Sequence, residues 1–394
     1  MMLFAPRPED PHENRAALTP AVVKKLVAKG VTVVVETGLA HGAFIGDDAF
    51  REAGATTADE GHQAWEDADV VVAIDPTRPE HVRRMRPGTA LVGMLSPTTE
   101  HDLVRTAVKA QVSTISLEFV PRISRAQSMD VLSSQANLAG YKAVLLGANH
   151  CPKLMPMMIT AAGTLAPARV LVVGVGVAGL QAIATAKRLG AIVEAYDVRP
   201  ATKEQVQSLG ARFVELPTSE SAGETSGGYA KEQTEEDRAR QAELMAKHVT
   251  GADVVVTTAA VFGKAPPMLI PADVVHRMRP GSVVVDLAAN PAHGRGNCEL
   301  TQPGEVVTTD NQVTVVGTTN LPATLPVDAS TVFANNVFAL LETMIDTPAE
   351  DQDNAEPTFK LDPDDEIHAG VLITHAGEIA NDLVRETLDG KDSP

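Results

Sequence analysis

The sequence predicts an α/β protein with two Rossmann-like, doubly wound parallel-sheet domains joined by two long helices, the first domain being discontinuous. Short β-branched runs alternate with helical patterns along the chain, which is typical of parallel sheets. These runs are almost continuously apolar, which indicates strands covered on both faces. A length of 394 residues exceeds one ordinary domain and leaves room for two or three.

The predicted strands fall into two groups. In the first third of the chain they are Val31–Glu36, Val70–Ile74, Ala90–Leu95 and Val112–Phe119. In the middle they are Val170–Val173, Ile192–Tyr196, Phe213–Leu216, Val254–Thr258, Val283–Leu287 and Val313–Val316. Two long helical patterns, Met129–Ala148 and Ala329–Ile345, separate these blocks, and we expect them to be the crossings between domains.

Domain 1 is therefore expected to comprise residues 1–137 and 319–394, and domain 2, which carries the dinucleotide site, residues 138–318. An internal repeat supports two related domains. Ala68–Val72 and Ala252–Val256 both read ADVVV, each is followed by RMRPG, and a further apolar run comes next. Chance recurrence of common turn residues is the alternative explanation. The closing segment Gly370–Ile379 regains a strand pattern, and we expect it to pack on a partner.

Composition excludes several classes of function. A net charge of −18 repels nucleic acid and anionic membrane surfaces. The sequence lacks the run of about 20 apolar residues that a spanning helix needs, and Met1–Asp10 lacks the layout of a signal peptide. Cys151 and Cys298 form no C-x-x-C pair, which indicates a reducing compartment and no zinc site. We expect a soluble cytoplasmic protein without a bound metal.

The most specific motif begins at the end of a predicted strand. Gly174–Gly179 reads G-x-G-x-x-G and opens a predicted helix. Gly174 permits the tight turn, Gly176 lets the backbone approach a pyrophosphate, and Gly179 allows close packing of helix on strand. The N-terminus of the helix offers free N–H groups and a positive dipole end to the phosphates. This context predicts a dinucleotide-binding site.

Asp197 ends the next predicted strand, at the position where a carboxylate accepts hydrogen bonds from the adenosine ribose and repels a 2′-phosphate. The sequence therefore predicts NAD(H) as the cofactor. Arg199 is either a signal for NADP or a solvated loop charge, and Asp197 favours NAD(H). Further residues expected to contact the same cofactor are Val177, Ala178, Val198, Thr258 and Ala259.

Beyond this motif, the sequence resembles the alanine dehydrogenase and NAD(P) transhydrogenase superfamily. The matching strings are ENRAALTP (13–20), GVGVAGLQAIATAKRLGAIVEAYDVRP (174–200) and PGSVVVDLA (280–288). The NAD(H)-binding component of transhydrogenases is the closer match, through PRISRAQSMDVLSSQA (121–136), GNCELTQPGEVV (296–307), LPATLP (321–326) and the pair Asn335–Asn336.

The resemblance implies a homodimer that passes hydride from NADH to NADP(H) bound on a partner subunit, coupled to proton translocation through membrane-embedded subunits. It implies a peripheral position on the cytoplasmic face of the inner membrane, with the spanning helices in other chains. It also implies that Tyr229, on a loop at Pro217–Glu236, closes over NAD(H). The residues implied to line the nicotinamide and its ribose are Arg122, Gln127, Asp130 and Ser133.

Each of these residues also has a plain structural alternative. Arg122 could be a surface ion-pair residue, Gln127 a loop residue, and Asp130 the N-cap of the following helix. Arg15 matches an arginine that binds the substrate carboxylate in the dehydrogenases, and here we expect a structural role instead. The loop at 290–295 departs from the family pattern, and we expect His293 to be exposed.

Two further departures separate the candidate functions. Alanine dehydrogenases carry a lysine beside the strand at 70–75 and a histidine after the next strand, whereas this chain has Ala73, Asp75 and Ser96 in these regions. Oxidation of an amine needs a base, but hydride transfer between two nicotinamide rings needs only positioning. The rival functions are those of a self-sufficient NAD-dependent amino-acid dehydrogenase and a non-catalytic NAD(H)-sensing subunit.

Overall fold

The computed structural model describes residues 1–59, 62–215, 235–260, 265–347 and 356–390. The strands are β1 (Met2–Ala5), β2 (Thr32–Glu36), β3 (Thr56–Ala58), β4 (Val70–Ala73), β5 (Ala90–Gly93), β6 (Ser113–Ser116), β7 (Met158–Thr160), β8 (Gly163–Leu165), β9 (Arg169–Val173), β10 (Ile192–Tyr196), β11 (Arg212–Phe213), β12 (Val254–Thr257), β13 (Val283–Asp286), β14 (Val306–Thr308), β15 (Thr314–Val316), β16 (Ile345–Asp346), β17 (Thr358–Phe359), β18 (Leu372–His375) and β19 (Glu378–Ile379). The helices are α1 (Pro20–Ala28), α2 (Asp47–Glu52), α3 (His62–Asp67), α4 (Pro79–Val82), α5 (His101–Ala110), α6 (Val131–His150), α7 (Val177–Arg188), α8 (Thr202–Ser208), α9 (Glu235–Gly251), α10 (Ala272–His276), α11 (Pro326–Met344), α12 (Glu366–Val371) and α13 (Asp382–Leu388).

The chain divides into two compact units. Unit 1 comprises Met1–Gln135 and Pro322–Pro394, and unit 2 comprises Ala136–Leu321. The first boundary falls inside α6, whereas α11 begins after the second boundary and lies wholly in unit 1. Of the two long helices expected to be crossings, α6 therefore spans a boundary and α11 does not.

The main sheet of unit 1 has the order β19-β18-β6-β5-β4-β1-β2-β3. Strands β1 to β6 are parallel, and β18 and β19 extend the sheet in the antiparallel sense. The strand pattern of Gly370–Ile379 is confirmed, since β18 pairs with β6 of the same chain and β19 forms the sheet edge, while its packing on a partner stays a prediction. Strand β1 was not predicted, since four residues followed by Pro6 are too short a run to indicate a central strand.

The main sheet of unit 2 has the order β11-β10-β9-β12-β13-β15-β14. Its order reverses at β9, which pairs in parallel with β10 on one side and with β12 on the other. Ligands of open α/β sheets bind beyond the carboxyl ends of the strands at such a reversal. The glycine motif follows β9 directly, so the fold places it at that point.

Both faces of the second sheet are covered. Successive side chains of a strand point to opposite faces, and the residues of β9 accordingly alternate between two apolar clusters. Val170 and Val172 pack with Ile183 of α7, while Leu171 and Val173 share a cluster with Val249 of α9. This arrangement confirms the doubly wound α/β fold expected for this part of the chain.

The internal repeat corresponds to equivalent strand pairs in the two sheets. Strand β4 pairs in parallel with β5, and β12 pairs in parallel with β13, in each case with the RMRPG string between them. Gly88 and Gly281, which end the two strings, have φ of 89° and 82°. Such left-handed backbone suits glycine, which explains why the turn residues recur.

A separate antiparallel hairpin, formed by β7 and β8, lies in unit 2 outside its main sheet. Every residue of both strands is exposed. Across the described stretches of the chain, none of the helices combines the length and the apolar character that spanning a bilayer requires.

Candidate functional site

The glycine motif forms a tight turn between β9 and α7. Gly174 has a φ of 99°, and a Cβ at this residue would lie 2.5 Å from Thr258 Oγ1. A Cβ at Gly179 would lie 2.0 Å from the carbonyl oxygen of Gly174, so only glycine lets the helix pack this closely on the turn. Gly176 has open space within 4 Å of its Cβ position. The turn therefore has the shape that a dinucleotide pyrophosphate requires.

Helix α7 begins at this turn without a capping side chain. Its N-cap residue is Gly176, which has no side chain that could cap the N–H groups of the first turn. Val177 and Ala178 lie in that turn, and Val177 is exposed. The positive end of the helix dipole is thus available to an anionic group, which is the physical basis of phosphate binding at helix N-termini.

A buried asparagine holds the end of β12 beside the turn. Thr258 Oγ1 donates to the carbonyl oxygen of Gly174 at 2.9 Å. The side chain of Asn297 accepts from Ala259 N at 3.0 Å and donates to the carbonyl oxygens of Ala259 and Pro267, both at 2.8 Å. Asn297 belongs to the string GNCELTQPGEVV, and its clamp on Ala259 was not predicted, because nothing in the local sequence indicates that contact.

Asp197 and Arg199 form one hydrogen-bonded pair. The Asp197 carboxylate accepts from Val175 N at 2.7 Å and from Arg199 through its N at 2.8 Å, Nε at 2.9 Å and Nη2 at 3.1 Å. Burial alone raises the pKa of Asp197, but the hydrogen bonds from Arg199 and from the backbone outweigh it, so the pKa lies below its ordinary value. Arg199 is therefore not a freely solvated loop charge. Between the two residues, Val198 is 80% exposed.

The residues expected at the nicotinamide lie in unit 1. Ser124–Met129 forms a 3-10 helix, with Ala126 and Met129 buried, while Arg122 and Gln127 are exposed. Asp130 accepts from Ser133 N at 2.8 Å and from Ser133 Oγ at 2.6 Å. The structure therefore brings Asp130 and Ser133 together, as a cap on the first turn of α6.

Asp75 and Ser96 lie in the regions where alanine dehydrogenases carry a lysine and a histidine, and both make structural hydrogen bonds. Asp75 accepts from the backbone N–H groups of Glu9 at 2.8 Å and Asp10 at 2.9 Å, and burial raises its pKa to about 6. Ser96 has a φ of 47°, and its N–H donates to Glu118 at 2.7 Å. Neither position presents a side chain comparable to a lysine or a histidine.

Arg15 forms hydrogen bonds with side chains of its own unit. Its guanidinium donates to the Glu13 carboxylate at 2.6 and 2.8 Å and to Gln135 Oε1 at 2.9 Å. The arginine is buried, in agreement with a structural role. His293 is exposed, as expected. Tyr229 and residues 217–234 of the expected closing loop lie outside the described residues.

Comparison with known proteins identifies the family. The "Alanine dehydrogenase/PNT, N-terminal domain" matches residues 5–139, and the "Alanine dehydrogenase/PNT, C-terminal domain" matches residues 143–382. The chain is 46% identical to the first part of the NAD(P) transhydrogenase alpha subunit of Rhodospirillum rubrum, over 97% of its length and 98% of the relative. The solved structure of a transhydrogenase from Sinorhizobium meliloti is 38% identical, with a TM-score of 0.84 over 96% of this chain and 100% of that one.

A dehydrogenase relative is more distant. The alanine dehydrogenase of Halomonas elongata is 28% identical over 77% of this chain and 76% of the relative. The difference agrees with the absence of the lysine and histidine that the resemblance to dehydrogenases would require near Asp75 and Ser96. The chain therefore belongs to the alanine dehydrogenase/PNT family and, within it, to the NAD(P) transhydrogenase alpha subunits.

Proposed function

We propose that this chain is the NAD(H)-binding subunit of a proton-translocating NAD(P) transhydrogenase and that it passes hydride to NADP⁺ bound on a partner subunit. One observation carries the proposal. The chain has a dinucleotide-binding turn at the switch point of unit 2, yet Asp75 and Ser96 provide no base of the dehydrogenase kind. Hydride transfer between two nicotinamide rings requires positioning rather than proton abstraction.

The residues of unit 2 would hold the adenosine and pyrophosphate half of NAD(H). The N–H groups of Val177, Ala178 and Gly179 in the first turn of α7 would bind the phosphates, with Thr258 and Ala259 adjacent to them. Asp197 accepts from the ribose hydroxyls while Arg199 keeps it charged. The exposed side chain of Val198 would also contact the cofactor.

The residues of unit 1 would orient the reacting half. We propose that Arg122 and Gln127 contact the nicotinamide and that Asp130 and Ser133 contact its ribose, and the exposure of the first two supports this role. NAD(H) supplies the hydride when it is bound. The protein side chains contribute no proton step and act by fixing the ring. We further propose that Tyr229 closes over the bound cofactor.

The partners are inferred from the relatives' names. The Rhodospirillum rubrum relative is named as one portion of an alpha subunit, which makes it one component of a larger complex. We propose that membrane-embedded and NADP(H)-binding subunits complete the complex and carry the proton pathway. This chain would then lie on the cytoplasmic face of the inner membrane through those subunits.

We propose a homodimer whose contact includes the β7–β8 hairpin of each copy. Met157 is 59% exposed and Ile159 is 73% exposed, and an isolated two-stranded hairpin is marginally stable in water. A second copy of the same hairpin would bury these side chains by a self-complementary contact, which is the usual geometry of a two-fold dimer. Contiguous apolar exposure of this kind indicates an interaction surface.

The proposed function is tested with the purified chain, first alone and then in membranes that contain the partner subunits. Alone, it binds NADH in calorimetry but oxidises none in the presence of NADP⁺. With the partners, NADH oxidation matches NADP⁺ reduction. Reduction of NAD⁺ by alanine would show an amino-acid dehydrogenase. NADH binding without transfer in the complete complex would show a sensing subunit.

A further inference from the structure

One side chain of α11 contacts both ends of the segment that carries Gln127 and Asp130. Asn336 Nδ2 donates to the carbonyl oxygen of Ser128 at 2.7 Å. Its Oδ1 accepts from Ser134 Oγ, also at 2.7 Å. The backbone acceptor lies directly after Gln127, and the hydroxyl donor lies in the first turn of α6. A single amide group therefore joins the end of the 3-10 helix to the start of α6.

The same face of α11 also supports the segment by apolar packing. Phe333, Asn336 and Val337 share one helix face because they are spaced by three and four residues. Phe333 and Val337 belong to the apolar cluster that contains Ala126 and Met129, the two buried residues of the 3-10 helix. Asn336 is only 8% exposed.

A buried amide at this position needs an explanation. An apolar side chain would fill the same space without the cost of removing a polar group from water. Asn336 is tolerated because its donor and its acceptor both have partners, and those partners fix the backbone next to Gln127. The far side of the segment is held by Arg125, which donates to Asp365 at 2.7 and 3.0 Å.

We propose that Asn336 is a positioning residue for hydride transfer, fixing the Gln127–Ser128 backbone so that the Gln127 side chain meets the nicotinamide in the reactive orientation. The inference rests on the proposed function. It adds a role for a residue of the Asn335–Asn336 pair that contacts no reacting atom. Because the reacting carbons must approach to roughly 3–3.5 Å, a small shift of the segment slows transfer strongly.

The experiment compares Asn336→Ala and Asn336→Asp with Asn335→Ala in the full complex. Asn335 is the matched control, since it is the adjacent residue of the same type and its side chain is exposed. We expect first-turnover transfer from NADH to NADP⁺ to slow by about tenfold to a hundredfold in both Asn336 variants. The NADH affinity of both Asn336 variants should stay within about twofold of wild type, because the contacts of unit 2 are intact. In Asn335→Ala both the NADH affinity and the transfer rate should stay within the same range.

Asn336→Asp separates the backbone contact from the packing. The carboxylate still accepts from Ser134 but places an oxygen opposite the carbonyl oxygen of Ser128, which repels it. The deuterium isotope effect on the first turnover, with NADH labelled at the transferred hydrogen, should increase in the Asn336 variants, because the slowed hydride step then limits the rate more fully. A general loss of folded protein would lower the amplitude of the reaction and leave the isotope effect unchanged.

Several outcomes overturn the proposal. Transfer by Asn336→Ala within about twofold of wild type would exclude a positioning role. If Asn336→Ala lowered the NADH affinity and the transfer rate by the same factor, Asn336 would have only a general structural role. If Asn336→Ala does not fold, Asn336→Asp decides, since it keeps the side-chain volume and removes the donor to the Ser128 carbonyl oxygen, and wild-type transfer in that variant would contradict the proposal.

A second measurement separates this inference from the proposed function. In the isolated chain, the amides of Ala126 and Asp130 bond to carbonyl oxygens of the same segment. Their hydrogen exchange should be faster in Asn336→Ala than in Asn335→Ala. Failure of the wild-type complex to transfer hydride would refute the proposed function alone. Unchanged amide exchange would refute the positioning contact, whatever the chain's activity.

Discussion

Asp197 and Arg199 are paired rather than competing. The sequence presents them as signals for two different cofactors, but in the structure the Arg199 guanidinium and the backbone N–H groups of Val175 and Arg199 all donate to the Asp197 carboxylate. In the proposed site, a ribose hydroxyl would share that carboxylate with Arg199. The charge that would bind a 2′-phosphate is thus already neutralised, which explains how an arginine can be accommodated in an NAD(H) site.

Replacement of Asp197 should therefore change cofactor choice. In Asp197→Asn the arginine loses its ionic partner and becomes available to a 2′-phosphate. We expect the ratio of NADH to NADPH affinity to fall by roughly tenfold to a hundredfold, the range for one charge-assisted hydrogen bond. Calorimetric titration with both cofactors measures the ratio. Arg199→Ala is the control and should not strengthen NADPH binding, and an unchanged ratio in Asp197→Asn would exclude the assignment.

Asp75 gives a prediction for stability against pH. Its folded-state pKa of about 6 exceeds the ordinary 3.8, so its favourable contribution is present below 3.8 and is lost as the pH rises through about 6. Asp75→Asn removes the buried charge and keeps an oxygen for the N–H groups of Glu9 and Asp10. At pH 8 the variant should be more stable to urea by about 1–3 kcal/mol. The gain should shrink toward pH 4, and an equal gain at both pH values would contradict burial as its cause.

At the scale of elements, α6 meets the start of α7 at a glycine. A Cβ at Gly140 would lie 2.1 Å from the carbonyl oxygen of Ala178, in the first turn of α7, the helix proposed to bind the phosphates. Replacing a glycine in a helix interior by alanine normally stabilises the helix by roughly 1 kcal/mol. Here the added methyl group would displace the turn instead.

We therefore expect Gly140→Ala to weaken NADH binding by about tenfold or more, because the displaced turn loses its hydrogen bonds to the phosphates. Gly251→Ala is the matched control, since its Cβ would meet nothing within 4 Å. Calorimetry on both variants provides the comparison. NADH affinity equal to wild type in Gly140→Ala would show that the turn tolerates the shift.

The β7–β8 hairpin should control the oligomeric state. Ile159→Asp would place a charge in the proposed contact between two copies, where it would be desolvated without a partner. We expect the wild type to behave as a dimer in analytical ultracentrifugation and the variant as a folded monomer. Thr160→Asp on the same hairpin is less disruptive, because a polar side chain is already present. A dimeric Ile159→Asp variant would place the contact elsewhere.

The sequence patterns predicted the secondary-structure elements more completely than they predicted the side-chain contacts. The predicted strands each overlap a strand of the structure, although Val112–Phe119 is a strand only over Ser113–Ser116. The short strands β1 and β3 were not predicted, because Met2–Ala5 is followed directly by Pro6 and Thr56–Ala58 is only three residues long. Asn297 and Asn336 were not predicted as anchors, because each acts on backbone that is distant in sequence: Asn336 bonds Ser128 across 208 residues.

At the scale of the whole molecule, the chain consists of two units whose main sheets have related topology. Each main sheet has a central strand, β1 or β9, flanked by parallel neighbours at a reversal of strand order. Only the second carries the glycine turn after that strand, which the motif predicted. The first carries the segment at 122–130, for which the proposed contact with the nicotinamide rests on the resemblance to the transhydrogenases.

The central claim is direct hydride transfer from NADH on this chain to NADP⁺ on a partner subunit. The most direct measurement uses the complete complex with NADH deuterated at the transferred position, followed by mass spectrometry of the products. Because direct transfer needs no protein base and no intermediate carrier, we predict one deuterium in NADPH for each NADH oxidised and none in the solvent. Unlabelled NADPH, with deuterium released to water, would contradict direct transfer.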